Sequence, residues 1–247
     1  MMKTDSIIEI KNLYKSFTVG DQDIPVLKDI SLDIQDGDFI IIFGPSGCGK
    51  STLLHIILGL EEPTKGNIFF KGKHLYNGST EEERNKLRKK YISMVYQQTN
   101  WIKSIPVEEN VLFPLLLLGE ERSKGMEIAR EKIDKLGMTD WSKYLPSELS
   151  SGQQQKVSLA RALVNDPEII IADEPTGNLD YQSGEELMNI LTELNKKQKK
   201  TVIMVTHNLE YVSYAKRTVS MFDGKIIKVY EKTNTKEVMN NLRKIKQ

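Results

Sequence analysis

Phe39-Ile40-Ile41-Ile42-Phe43-Gly44-Pro45-Ser46-Gly47-Cys48-Gly49-Lys50-Ser51-Thr52-Leu53-Leu54 is the stretch on which the reading of this chain turns. Its first five residues are continuously apolar, as in a strand buried on both faces. The next eight match G-x-x-x-x-G-K-[ST]. From Lys50 to Leu60, Leu53, Leu54, Ile57 and Leu58 recur at helical spacing. A strand, a glycine-rich turn and a helix start are the context that this phosphate-binding motif requires. Glycines let backbone N–H groups curl around phosphate oxygens, and the helix N-terminus adds positive potential. Gly44, Pro45, Ser46, Gly47, Cys48, Gly49, Lys50, Ser51 and Thr52 are therefore the expected nucleotide-binding residues. Lys50 suits the β- and γ-phosphates, and Ser51 suits Mg²⁺. Cys48 reads as an inert small side chain in preference to a redox switch.

A second apolar strand, Glu168–Ala172, runs into Asp173 and Glu174. Two carboxylates at the end of a buried strand are costly unless they meet a cation or a proton-transfer task. Asp173 fits a Mg²⁺ carboxylate. Glu174 is placed to polarise an attacking water.

Outward from these stretches, strands are expected at 7–10, 26–34, 91–96 and 201–205, with a hairpin at 219–230 around Asp223-Gly224. Helices are expected at 107–118, 124–136, 152–165 and 183–197. Ser79-x-x-Glu82 reads as a capping box opening a charged helix to about Lys90. Strands alternating with helices imply an α/β core with a partly parallel sheet. The helical stretch from 98 to 165 reads as an inserted subdomain, and the tail from 231 to 247 as helical and Lys-rich.

Composition narrows the function. The 247 residues carry 35 Lys+Arg and 34 Asp+Glu, a net charge of +1, so no field steers nucleic acid toward the chain. The longest apolar run, Val111–Leu118, has eight residues against the ~20 of a spanning helix. No secretory signal is expected at the start. One cysteine leaves no internal disulfide and suits a reducing compartment. His55, His74 and His207 show no metal-ligand spacing.

Leu149-Ser150-Ser151-Gly152-Gln153, followed by Gln154-Gln155-Lys156-Val157-Ser158-Leu159-Ala160-Arg161-Ala162-Leu163, resembles the signature region of the ATP-binding cassette (ABC) ATPases. Ser and Gly at a helix start also form an anion site in their own right. The resemblance covers about residues 7–230. It implies an ABC-type P-loop fold: a mixed α/β sheet core (about 1–97 and 166–230), an N-terminal antiparallel β-subdomain and an inserted helical subdomain. It further implies ATP and Mg²⁺, and a nucleotide sandwiched between the phosphate loop of one copy and Ser150, Ser151, Gly152 and Gln153 of another. Gln97, preferred over Gln98, resembles the glutamine that touches Mg²⁺ or water. Asp180, in Gly177-Asn178-Leu179-Asp180, resembles the dimer-contacting aspartate, and His207 the switch histidine that reads the γ-phosphate. Phe17 stands where a ring stacks on adenine, with Tyr14 the alternative. Ser151 departs from the usual Leu-Ser-Gly-Gly-Gln.

The strings Ala172–Asp180, Glu109-Asn110-Val111, Pro114–Leu117 and Val205–Asn208 resemble the branch holding macrolide exporters, lipoprotein-releasing complexes, antimicrobial-peptide resistance transporters and the cell-division cassette. That resemblance implies an ATPase that dimerises with a second cassette, expected to be a homodimer. It acts on an integral membrane permease subunit carried by a separate chain, at the cytoplasmic face of the membrane. Export or extraction of a peptide, lipoprotein or hydrophobic drug is the leading expectation. Control of a cell-wall hydrolase without transport is the alternative. A soluble cassette acting on DNA or ribosomes is disfavoured, because no coiled-coil insertion, second cassette or basic arm is seen. Trp101, Ile102 and Val107 either receive a short helix of the partner or belong to the subdomain core.

Overall fold

The structure is a computed structural model, and it describes residues 6–231. The expected C-terminal helix lies outside the described residues.

The chain opens with a long hairpin, β1 (Ser6–Val19) and β2 (Gln22–Gln35), in which Phe17 faces Ile24 and Val19 faces Gln22. Only the buried cores of these strands, near 7–10 and 26–34, were legible. The outer half, Lys11–Val19, is mostly exposed and polar, so it lacks the alternation that signals a half-buried strand. β3 (Phe39–Phe43) is buried at every position. α1 (Lys50–Ile57) stops short of Leu60 because Gly59, at φ +71°, takes the left-handed position that ends a helix. β4 (Lys65–Phe70) and β5 (Lys73–His74), which no sequence signal marked, complete a four-stranded antiparallel sheet in the order β2-β1-β4-β5.

α2 (Glu81–Tyr91) is capped one residue later than the pattern suggested: Thr80 and Glu83 form the box, not Ser79 and Glu82. The Ser79 hydroxyl instead donates to the Leu75 carbonyl. β6 (Ile92–Tyr96) leads into a helical layer of α3 (Val107–Leu117), α4 (Arg122–Lys135) and α5 (Ser151–Leu163). These helices share a core of Val107, Val111, Leu112, Ala129, Ile133 and Val157. Val107, fully buried there, belongs to the subdomain interior rather than to a docking surface. β7 (Ile169–Asp173), α6 (Tyr181–Gln198), β8 (Thr201–Thr206), β9 (Arg217–Phe222) and β10 (Lys225–Glu231) finish the described chain.

The second sheet runs β10-β9-β3-β8-β7-β6. β9, β3, β8, β7 and β6 are parallel, and only the edge strand β10 is antiparallel. This register places the site. Tyr96 pairs with Asp173, Asp173 with Val205, and Phe43 with Thr206. The residues that follow these strands, Gln97, Glu174, His207 and Gly44, therefore emerge along one carboxyl edge, where ligands of open α/β sheets bind.

Candidate nucleotide site

The phosphate loop is shaped for close approach of backbone. A Cβ on Gly44 would lie 2.3 Å from the Met221 carbonyl oxygen, and one on Gly49 2.7 Å from Leu27 Cδ2. Gly47 and Gly49 adopt φ of +79° and +99°, where a side chain is strained. Pro45, Ser46 and Gly47 are exposed at the rim, while Cys48, Gly49 and Lys50 lie beneath. Burial pushes the Cys48 thiol up, which keeps it protonated and unreactive. The Lys50 ammonium is buried and donates to the Gly44 and Pro45 carbonyls, each at 2.9 Å. It is thereby aimed along its own loop. Thr52 follows, half-buried, in the first turn of α1.

Ser51 Oγ donates to Asp173 Oδ2 at 3.3 Å. Burial raises the Asp173 carboxyl above its usual range; the Ser51 bond pulls the other way, and the Glu174 charge adds to the rise. A hydroxyl and a carboxylate, both hard oxygen donors, converge on one point, which suits Mg²⁺. Glu174 stands at φ +45°, a rare setting for a non-glycine residue and one found at functional sites. Its Oε2 lies 2.9 Å from His207 Nδ1. Asn208 N donates to the Thr206 hydroxyl at 3.0 Å, which fixes the turn that presents His207.

Other expected residues stand apart from this cluster. Gln97 makes no hydrogen bond with Ser51 or Asp173 among the described residues. Its Nε2 instead lies 2.7 Å from where a Gly177 Cβ would be. Phe17 is 38% exposed, and Lys15 Nζ sits 4.8 Å from its ring centre. Tyr14 is equally exposed. Phe17 is two residues along β1 from Lys15, whose cross-strand partner Leu27 touches Gly49, so the ring lies near the rim of the loop. Ser150 caps α5, accepting from Gln153 N, while Gln153 Oε1 accepts from Ser150 N. Ser151 is exposed at the first turn, and Gly152 packs against Ser183. Asp180 caps α6 through Ser183 N at 2.9 Å and Ser183 Oγ at 2.7 Å; these bonds hold its carboxyl below the usual range. The signature turn and Asp180 are thus neighbours. Neither makes a hydrogen bond to the phosphate loop of the same chain among the described residues.

Comparison with known proteins decides the family. The family profile described as ABC transporter matches residues 27–177. An uncharacterized ABC transporter ATP-binding protein of Methanocaldococcus jannaschii is 43% identical over 226 residues, covering 92% of this chain and 100% of that one. This chain belongs to the ABC transporter ATPase family.

The cassette is also 42% identical, over 98% of its length, to the macrolide export ATP-binding/permease protein MacB of Mannheimia succiniciproducens, of which it spans 37%. Among solved structures, the dimeric M. jannaschii cassette MJ0796 in a post-hydrolysis state with ADP and Pi superposes with a TM-score of 0.85. That match has 35% identity and covers 92% of this chain and 99% of that one. The expected α/β cassette fold and the ATPase class stand. No helix among the described residues is long and apolar enough to cross a membrane.

Sequence reading missed the contacts that tie this cassette's layers together. Gln155 Nε2 donates to the Tyr96 carbonyl at 3.1 Å. Gln154 Oε1 accepts from Thr99 Oγ1 and from Trp101 Nε1, and its Nε2 donates to the Leu149 carbonyl. The signal available was three consecutive glutamines, 153–155, pointing in three directions from one helical turn. Trp101 is committed to these contacts, whereas Ile102 stays 37% exposed beside the helical layer.

Proposed function

We propose that this single-domain cassette pairs with a second copy around two ATP molecules and drives an integral membrane subunit carried on a separate chain. In this reading it works peripherally at the cytoplasmic face and powers export or extraction of a peptide, lipoprotein or hydrophobic drug. One observation carries the reading. The chain bears two helix starts of a kind suited to anions, Gly44–Thr52 and Ser150–Gln153, with no hydrogen bond between them among the described residues, and we read each as half of a site. The dimeric MJ0796 cassette and the export protein MacB support it as relatives.

The mechanism we assign is in-line attack of water on the γ-phosphorus. The bond from the water oxygen forms as the bond to the bridging oxygen breaks, and ADP leaves with that electron pair. Glu174 takes the water's proton; His207 orients Glu174 and the γ-phosphate. Lys50 offsets charge on the β- and γ-oxygens once they replace the loop carbonyls as its partners. Mg²⁺, which Ser51, Asp173 and Gln97 would hold, supplies Lewis-acid stabilisation of the phosphate charge. Ser150, Ser151, Gly152 and Gln153 of the second copy close the site, with Asp180 at the seam. Phe17 stacks on the adenine. Catalysis is positioning and electrostatics throughout.

The test is recovery of tagged Glu174→Gln from membranes with ATP and Mg²⁺, partners being identified by mass spectrometry. A stoichiometric membrane subunit is expected, together with a cargo-binding component. A cell-wall hydrolase in place of cargo would move the assignment to mechanical signalling. Recovery of soluble proteins alone, under conditions that keep membrane complexes intact, would overturn it.

A further inference from the structure

Lys15 lies on the exposed outer half of β1, yet its side chain is only 11% exposed. Lys11, four residues earlier on the same strand and paired with Glu9, keeps 53% of its side chain in solvent. The difference lies in what the Lys15 ammonium meets. It pairs with the Glu61 carboxylate and donates to the Glu62 carbonyl at 2.8 Å. It also stands 4.8 Å from the centre of the Phe17 ring, inside the range of a cation–π contact. A lysine ammonium has three donors, and two oxygens and a π-face match that number.

The mooring belongs to the other half of the nucleotide site. Glu61 and Glu62 stand on the chain that leaves α1, the helix whose first residues are Lys50 and Ser51. That chain is tied down: Tyr76 Oη donates to the Ile56 carbonyl at 2.6 Å and to the Glu61 carbonyl at 2.7 Å. On either side of Lys15, β1 is fastened to the same segment. Thr64 N donates to the Tyr14 carbonyl at 2.8 Å, and Ser16 N donates to the Thr64 hydroxyl at 3.0 Å. Phe17 itself is exposed. An exposed ring samples several rotamers unless something takes one of its faces.

We infer that Lys15 is a positioning residue of the nucleotide site: from its mooring beyond α1 it holds one face of the Phe17 ring, so that the other face stays presented to the base. The inference rests on the base-stacking reading of Phe17 above. A ring held in its stacking rotamer before the base arrives loses less freedom on binding, and that gain appears as affinity. The cation also draws electron density toward its own face, which eases stacking of a purine on the opposite one. Lys15 therefore acts on the base through the ring and has no part in holding the phosphates.

Titration calorimetry with ADP and with pyrophosphate, each as its Mg²⁺ salt, separates these roles, because pyrophosphate offers two phosphates and no base. Lys15→Met is expected to weaken ADP binding about threefold, the scale of one cation–π contact, and to leave pyrophosphate binding unchanged. Lys15→Arg keeps a cation over the ring and is expected to restore most of the ADP affinity. In a Phe17→Ala background, Lys15→Met is expected to add nothing, since the ring through which it acts is gone. A merely structural lysine would weaken both ligands alike, and that result overturns the inference. So does a Lys15→Met effect that persists without the ring, or ADP affinity that survives Lys15→Met while Phe17→Ala lowers it. If Lys15→Met fails to fold, Glu61→Gln, which loosens the ammonium from its mooring, is judged with the same two ligands by the same criteria. If Phe17→Ala alone leaves ADP affinity unchanged, the base-stacking reading has failed first, and this inference with it.

Discussion

Asp173 and Ser151 carry the two departures from ordinary surface behaviour that matter most. Asp173 is raised by burial, so the folded chain holds its proton more tightly than the unfolded chain does. Its ionisation therefore lowers stability as pH rises through its titration range. Asp173→Asn should raise the melting temperature of the nucleotide-free protein at pH 8, by a margin that shrinks toward pH 3. Calorimetry without Mg²⁺ checks this; an equal or lower midpoint at pH 8 would refute the burial account. Ser151 puts a Cβ and a hydroxyl where family members carry glycine, yet its side chain is exposed and the close packing belongs to Gly152. Ser151→Gly should change the steady-state ATPase rate by less than about threefold, since a small polar residue at a helix start still serves an anion. A large gain would mean that the native signature is impaired. At this scale the sequence was most legible. The phosphate loop, Asp173 and Glu174 each sit in a strand-turn context that sterics dictate. Gln97 was less so, because its side-chain direction depends on Gly177, 80 positions away along the chain.

At the scale of elements, the phosphate loop leans on β9. A methyl on Gly44 meets the Met221 carbonyl at 2.3 Å, and that carbonyl belongs to a strand locked between β3 and β10. The loop must yield instead. Gly44→Ala should weaken ATP binding at least tenfold and cost about 1–3 kcal/mol in stability, the usual range for overpacking. Isothermal titration and urea unfolding measure both, and retained affinity would show the loop to be more pliant than its packing implies. Element boundaries were legible where burial imposes a period. They failed where it does not: the polar outer half of β1, the short β4–β5 pair, and the one-residue choice between Ser79 and Thr80 as a cap. Two adjacent hydroxyls, each three residues before a Glu, leave the cap to be settled by tertiary contacts of the preceding loop.

For the whole molecule, the proposal turns on two half-sites carried by one copy. Glu174→Gln removes the proposed base and leaves the loop and signature intact, so ATP should be bound and hydrolysed very slowly, by at least 100-fold. With ATP and Mg²⁺, sedimentation should then shift from the 28.2 kDa chain to twice that mass, and revert on nucleotide removal. Unchanged turnover, or a monomer throughout, would remove Glu174 or the sandwich from the mechanism. The α/β class followed from strand-helix alternation alone. The order of the strands did not, since parallel pairing of segments as distant as β3 and β8 leaves no local mark on either.

Gln154 acts as a rivet. It joins the chain leaving β6, at Thr99 and Trp101, to the first turn of α5, and shearing that joint would break two hydrogen bonds at about 0.5–1.5 kcal/mol each. A tilt of the helical layer that parted this segment from α5 would have to break both. Trp101, bonded to Gln154, would move with the signature in any lesser tilt, so its indole emission would serve as a built-in gauge of the angle.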